Sequence, residues 1–253
     1  MAKPILVANW KNHPGSLSEA RALLKSLSKN SGLYKNLSVF IAPPATYFEL
    51  VSLRAHSFAR LASQDIPAFS SGVHTGLITS DILKSFGVRL CIIGHSEQRA
   101  RGETSAEVSE KVKIALRAGI TPLVCVGEKV RDTDGEHFEF LREELKSSLA
   151  GLRAKAARGI MIAYEPAWVI GKHAKDALPP VELAQSVIFL RKQLADLYGR
   201  KVAESIPILY GGSVEEDNAG VLMRETSVRG FLIGHASLRA GSFKAIANSL
   251  ISK

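Results

Sequence analysis

One pattern limits the folds open to this chain of 253 residues. Short apolar runs alternate with stretches of helical spacing, and the alternation repeats eight times. The runs are PILVAN (4–9), LSVFIA (37–42), ARLASQ (59–64), VRLCII (88–93), ITPLVCV (120–126), GIMIAY (159–164), SIPILY (205–210) and RGFLIG (229–234). Their length suits strands. Between them, LSEARALLKSLSK (17–29), EFLREELKSSLAGLRAKA (139–156) and VELAQSVIFLRKQLADLY (181–198) space apolar residues three and four apart, which predicts amphipathic helices. Ser16 and Ser80 precede helical runs as expected N-caps, and Gly87 and Gly119 stand where helices should stop. Strand–helix alternation implies a parallel sheet with helices outside. Eight repeats can close on themselves, so the expected architecture is α/β, a (β/α)8 barrel forming a single domain over residues 1–253. About 250 residues is an ordinary size for one. An open doubly wound sheet is the competitor, weakened in its dinucleotide-binding form because no G-x-G-x-x-G follows the first strand. The longest irregular stretches are 65–76 and 171–180.

Composition narrows the environment. A hydrophobic content of 46% is enough for a full core. The two cysteines, Cys91 and Cys125, lie inside apolar runs and read as buried reduced thiols rather than a disulfide or a metal site. The apolar start MAKPILVANWK is too short for a signal peptide, and no run reaches the roughly 18 apolar residues of a membrane span. The expected location is cytoplasmic, with no membrane partner. The net charge of +9 fits nucleic acid, an anionic substrate or plain solubility. Basic residues such as Arg153, Lys155 and Arg158 read as dispersed over helices, with no aromatic-interleaved block, so nucleic acid is not expected as a partner.

In barrels of this type, chemistry sits at the C-terminal ends of the strands. The residues there are Asn9, Trp10 and Lys11 after strand 1, and Gly94, His95, Ser96 and Glu97 after strand 4. Glu165 follows strand 6; Gly211, Gly212 and Ser213 follow strand 7; Gly234, His235 and Ala236 follow strand 8. Singly, the His is an ordinary surface residue, the Lys a solvated charge and the Glu a partner for any base. Together they have a chemical logic. Glycine-bearing turns expose N–H groups that hold a phosphate. A carboxylate can remove a proton beside a carbonyl, and a Lys and a His can stabilise the resulting oxyanion. The reaction class is proton abstraction next to the carbonyl of a small phosphorylated sugar, and it requires no metal and no cofactor.

These segments resemble the triosephosphate isomerase family over essentially the whole chain. The matching motifs are ANWK (8–11), SGVHTG (71–76), IIGHSEQR (92–99), CVGE (125–128), AYEPAWVIG (163–171), YGGSV (210–214) and GFLIGHASL (230–238). Any one alone is weak; seven in order are specific. The resemblance implies a TIM barrel, a homodimer and interconversion of dihydroxyacetone phosphate and glyceraldehyde 3-phosphate. It implies that Glu165 shuttles the proton, that His95 acts as a neutral electrophile, as is known for this family, and that Lys11 and Asn9 bind substrate. Gly171, Ser213 and Gly234 would donate backbone N–H groups to the phosphate, with His235 beside them. Glu97, Cys125 and Gly212 would support the site. Pro166 and Trp168 would begin a lid over it, and Thr75 would enter the partner subunit.

The chain also departs from the family's pattern. The lid reads WVIGKH, with His173 where glycine is usual, and about three extra residues follow. His235 replaces the second glycine of the turn after strand 8. Leu77 and Gln98 stand where the family commonly has Glu and Arg, a pair expected across the dimer interface. The segment after Arg99 looks one residue short. A same-mechanism isomerase of a four-carbon ketose phosphate and a catalytically weakened phosphate-binding barrel are the alternatives these departures raise.

Overall fold

The computed structural model describes residues 3–69, 74–132, 134–169 and 177–251. Eight strands form a closed parallel barrel in chain order. They are β1 (Ile5–Asn9), β2 (Ser38–Ala42), β3 (Arg60–Ser63), β4 (Leu90–Ile93), β5 (Thr121–Val126), β6 (Met161–Tyr164), β7 (Ile208–Tyr210) and β8 (Gly230–Ile233). All eight expected strands are present, each shorter than its apolar run. The difference falls mostly at the entering ends, where residues such as Val88 and Arg89 precede the ladder. β8 closes on β1 with Gly230 opposite Ile5.

Side-chain alternation divides the core in two. Twelve buried side chains, at least one from every strand, fill the barrel interior, among them Val7, Phe40, Ile92, Leu123 and Leu232. The residues between them point outward and pack beneath the helices. Cys91 belongs to the outer core and Cys125 to the interior, so the two thiols lie on opposite faces of the sheet. Both are free and buried.

The helix 17–29 appears as Leu17–Ser28, with Ser16 Oγ accepting from Glu19 N–H at 3.2 Å. Gly87 and Gly119 follow their helices at φ +80° and +73°, where a side chain would be strained. Two expectations fail. Ser80 is the first helical residue rather than the cap; Thr79 precedes it and makes no side-chain capping bond. The run 139–156 is two helices, Glu136–Ser148 and Ala154–Ala157, because Leu149 ends the first and Gly151 turns the chain at φ +72°. Apolar spacing alone does not register that break. Among the described residues, no helix is long and apolar enough to cross a membrane.

Candidate active site

The residues singled out at the strand ends meet in one cavity of about 250 Å³. Asn9, Lys11, His95, Glu165, Gly212, Ser213, Gly234 and His235 all line it. The pleat explains two of them. Asn9 continues the inward register of Ile5 and Val7, and Glu165 continues that of Met161 and Ala163, so both side chains stand above the filled barrel interior. Glu165 is held there by its backbone, whose N–H donates to Val126 O at 2.8 Å.

Glu165 is 3% exposed and His95 7%. Glu165 Oε1 lies 3.6 Å from His95 Nε2, and Oε2 accepts from Ser96 N–H at 3.2 Å. His95 precedes the short helix Ser96–Ala100, and its Nδ1 accepts from Glu97 N–H at 3.2 Å. An accepting Nδ1 carries no proton, so the neutral ring bears its proton on Nε2, facing the cavity and Glu165. Space for the Glu165 side chain and for its backbone carbonyl comes from absent side chains. A Cβ at Gly211 would stand 2.7 Å from Glu165 Cγ, and one at Gly127 2.0 Å from Glu165 O.

Lys11 occupies the left-handed region at φ 50°, alone among the described non-glycine residues. Such a conformation costs on the order of 1–3 kcal/mol and needs external support. Asn9 Oδ1 accepts from Lys11 N–H at 3.0 Å, and Gln64 Nε2 donates to Lys11 O at 2.7 Å and to Ala42 O at 2.9 Å. Lys11 Nζ reaches Glu97 Oε1 at 2.6 Å. Burial alone would raise the Glu97 carboxyl, but the hydrogen bond and charge of Lys11 outweigh it and hold the group below its usual value. Cys125 lies under the site, its thiol pushed up by burial and by the charge of Glu165.

The phosphate-binding expectations meet the structure unevenly. Gly234 and His235 line the cavity, and a Cβ at Gly234 would approach Lys11 Cε at 3.5 Å. The His235 side chain is exposed at the rim. The Ser213 hydroxyl donates to Val169 O at 2.6 Å, tying the turn after β7 to the segment after β6. Gly171, Lys172 and His173 lie outside the described residues. Leu77 is half-exposed, and Gln98 Nε2 donates to Asp65 Oδ2 at 3.4 Å; the two share a cleft of about 500 Å³.

Three residues were not singled out from the sequence. Gln64 supports Lys11 from the end of β3. Glu128, fully buried, accepts from Tyr164 Oη at 2.9 Å and 3.0 Å and from Trp168 Nε1 at 3.1 Å, and pairs with Arg131 at 3.3 Å. It anchors the chain just beyond Glu165. Glu144, its carboxyl raised by burial, accepts from Gly127 N–H at 2.8 Å and faces Arg99 Nε at 3.4 Å. Arg99 in turn donates to Gly94 O at 2.9 Å and Cys125 O at 3.3 Å, joining the ends of β4 and β5. The only sequence signal for Glu128 is its place at the end of the CVGE motif.

A family model described as triosephosphate isomerase matches residues 4–250. The triosephosphate isomerase of Herpetosiphon aurantiacus is 38% identical over 96% of this chain and 97% of its own length. That of Flavobacterium psychrophilum is 36% identical over 99% of this chain and all of its own length. That of Moorella thermoacetica is 37% identical over 98% of this chain and 99% of its own.

Proposed function

The chain belongs to the triosephosphate isomerase family, and we propose from this and from the site that it interconverts dihydroxyacetone phosphate and D-glyceraldehyde 3-phosphate. The observation that carries the mechanism is the buried Glu165 carboxylate standing 3.6 Å from His95 Nε2 in a cavity that also holds Lys11. Glu165 takes a proton from the carbon beside the substrate carbonyl and returns it to the neighbouring carbon. The enediolate between these steps carries negative charge on oxygen. His95 gives its Nε2 proton to that oxygen and takes the hydroxyl proton from the neighbouring oxygen, so that the carbonyl forms there, and the Lys11 ammonium stabilises the charge; both groups are fixed before the reaction and reorganise little. Asn9 holds the Lys11 backbone. The turns bearing Ser213, Gly234 and His235 receive the phosphate, and Gly171 contributes from the segment beyond Val169. The stretch that begins at Pro166 and Trp168 acts as the lid that excludes water.

The same reading takes residues 1–253 as one catalytic domain and places the protein in the cytoplasm as a homodimer. A cavity of about 500 Å³ beside the site, lined by Asn12, Gln64, Glu97, Gln98 and Arg101, supports the dimer. The exposed Thr75 of one subunit would enter it in the other. The decisive assay is steady-state turnover of glyceraldehyde 3-phosphate against a four-carbon ketose phosphate. The expected result is a kcat/KM above roughly 10⁶ per molar per second on the triose and much less on the tetrose. Folded protein with no triose turnover would defeat the reading; preference for the tetrose would reassign the substrate.

A further inference from the structure

The positive charge is gathered at one end of the barrel. The connections that lead into the eight strands, residues 3–4, 29–37, 56–60, 86–89, 117–120, 149–160, 199–207 and 225–229, all emerge opposite the active site. They hold twelve Lys and Arg against two Glu, a net charge of +10, while the whole chain carries +9. The rest of the molecule is therefore close to neutral, and the dispersal read from the sequence does not survive folding. Lys35, Arg60, Arg89, Arg117 and Arg158 are exposed. One of the two Glu, Glu204, is already paired with Arg200.

Helix dipoles do not account for this. About eight helix C-termini face the same end, each equivalent to roughly half a negative charge, so about four positive charges would balance them. Arg60 is the first residue of β3, and Arg89 lies on the hydrogen-bonded path between β3 and β5, both outside any helix end. Lys3 Nζ donates to Lys35 O at 2.6 Å, bringing two more cations together. Crowding like charges on one face works against folding, whereas solubility needs only net charge.

We propose that this pole is a binding surface for the phosphate backbone of nucleic acid, without sequence readout. A rigid face of exposed Lys and Arg matches a regular row of phosphates. Insertion into a lipid surface would call for apolar side chains beside the cations, and none of the exposed large apolar residues lies in these connections.

The test is fluorescence anisotropy of a labelled 20-base-pair DNA duplex from 25 to 200 mM KCl. It uses the full chain and a variant with Lys35→Gln, Arg89→Gln, Arg117→Gln and Arg158→Gln. A control variant with Arg21→Gln, Arg142→Gln, Lys192→Gln and Lys244→Gln loses equal charge from the helix flanks. Circular dichroism confirms that each variant folds. The expected result is binding whose logarithm falls steeply with log salt. The pole variant should bind at least about tenfold more weakly, with a slope shallower by roughly 3 to 4, while the control changes little. No binding at 25 mM, equal losses in both variants, or tighter binding to phosphatidylserine vesicles than to the duplex would each overturn the proposal.

Discussion

Glu165 stands at the pole of the barrel where a strand ends in the inward register, and two glycines keep room for it. Shortening it by one methylene in Glu165→Asp moves the carboxylate by about 1 Å and should lower kcat roughly a hundredfold with little change in KM; an unchanged kcat removes it as the base. Gly211→Ala should act on the same atom from outside, since the new methyl would meet Glu165 Cγ at 2.7 Å. The expected outcome is again a fall in kcat, read in the same assay. His235→Gly restores the family's residue at the rim and should change KM more than kcat, because an exposed side chain at the turn proposed to receive the phosphate takes no part in the proton transfer. Glu165, His95 and Lys11 were legible because each ends or follows a recognisable strand. Gln64 was not: its amide reaches across β2 to clamp Lys11, and that reach exists only once β3 is laid beside β2.

The segments that carry the site are held by buried carboxylates. Glu128 ties the end of β5 to Tyr164 in β6 and to Trp168 beyond it, so the chain just past Glu165 is pinned from below. Glu128→Leu leaves the Arg131 guanidinium without its buried partner. The cost should be about 3 kcal/mol, the lower end for a broken buried pair, because Arg131 keeps Glu182 at 3.4 Å; thermal unfolding would measure it. Asp132 shapes the loop into the helix Glu136–Ser148. Burial pushes its carboxyl up, but N–H donors of His137, Glu136 and Gly135 and the His137 ring outweigh that and bring it down to about 2. A group with a lowered folded value stabilises the fold above its unfolded value near 3.8 and loses that contribution as pH falls toward 2. Urea unfolding between pH 5 and 2 should show the loss, and Asp132→Asn should flatten that part of the profile. Helical spacing announced these helices, whereas the break at Gly151 and the cap at Thr79 depended on backbone angles that spacing does not encode.

At the scale of the molecule, the proposed dimer has an uncharged pair, Leu77 and Gln98, where the family commonly has Glu and Arg. Losing both charges together leaves neither stranded. Leu77→Glu alone should therefore weaken the dimer at least about tenfold in sedimentation equilibrium, and adding Gln98→Arg should recover most of it. An unchanged dissociation constant for Leu77→Glu would place Leu77 outside the interface. The sequence by itself determined the eight-fold alternation, the parallel sheet with helices outside and the strand ends where chemistry collects. Those follow from side-chain period and chain length, which are local properties. Only the tertiary structure decided which distant groups meet. It set the clamp of Gln64 on a strained Lys11, the anchoring of Trp168 by Glu128, the 3.6 Å approach of His95 to Glu165, and the gathering of scattered cations at the opposite pole. These depend on the closure of the barrel, which brings residues far apart in the chain to the same end of the same cylinder.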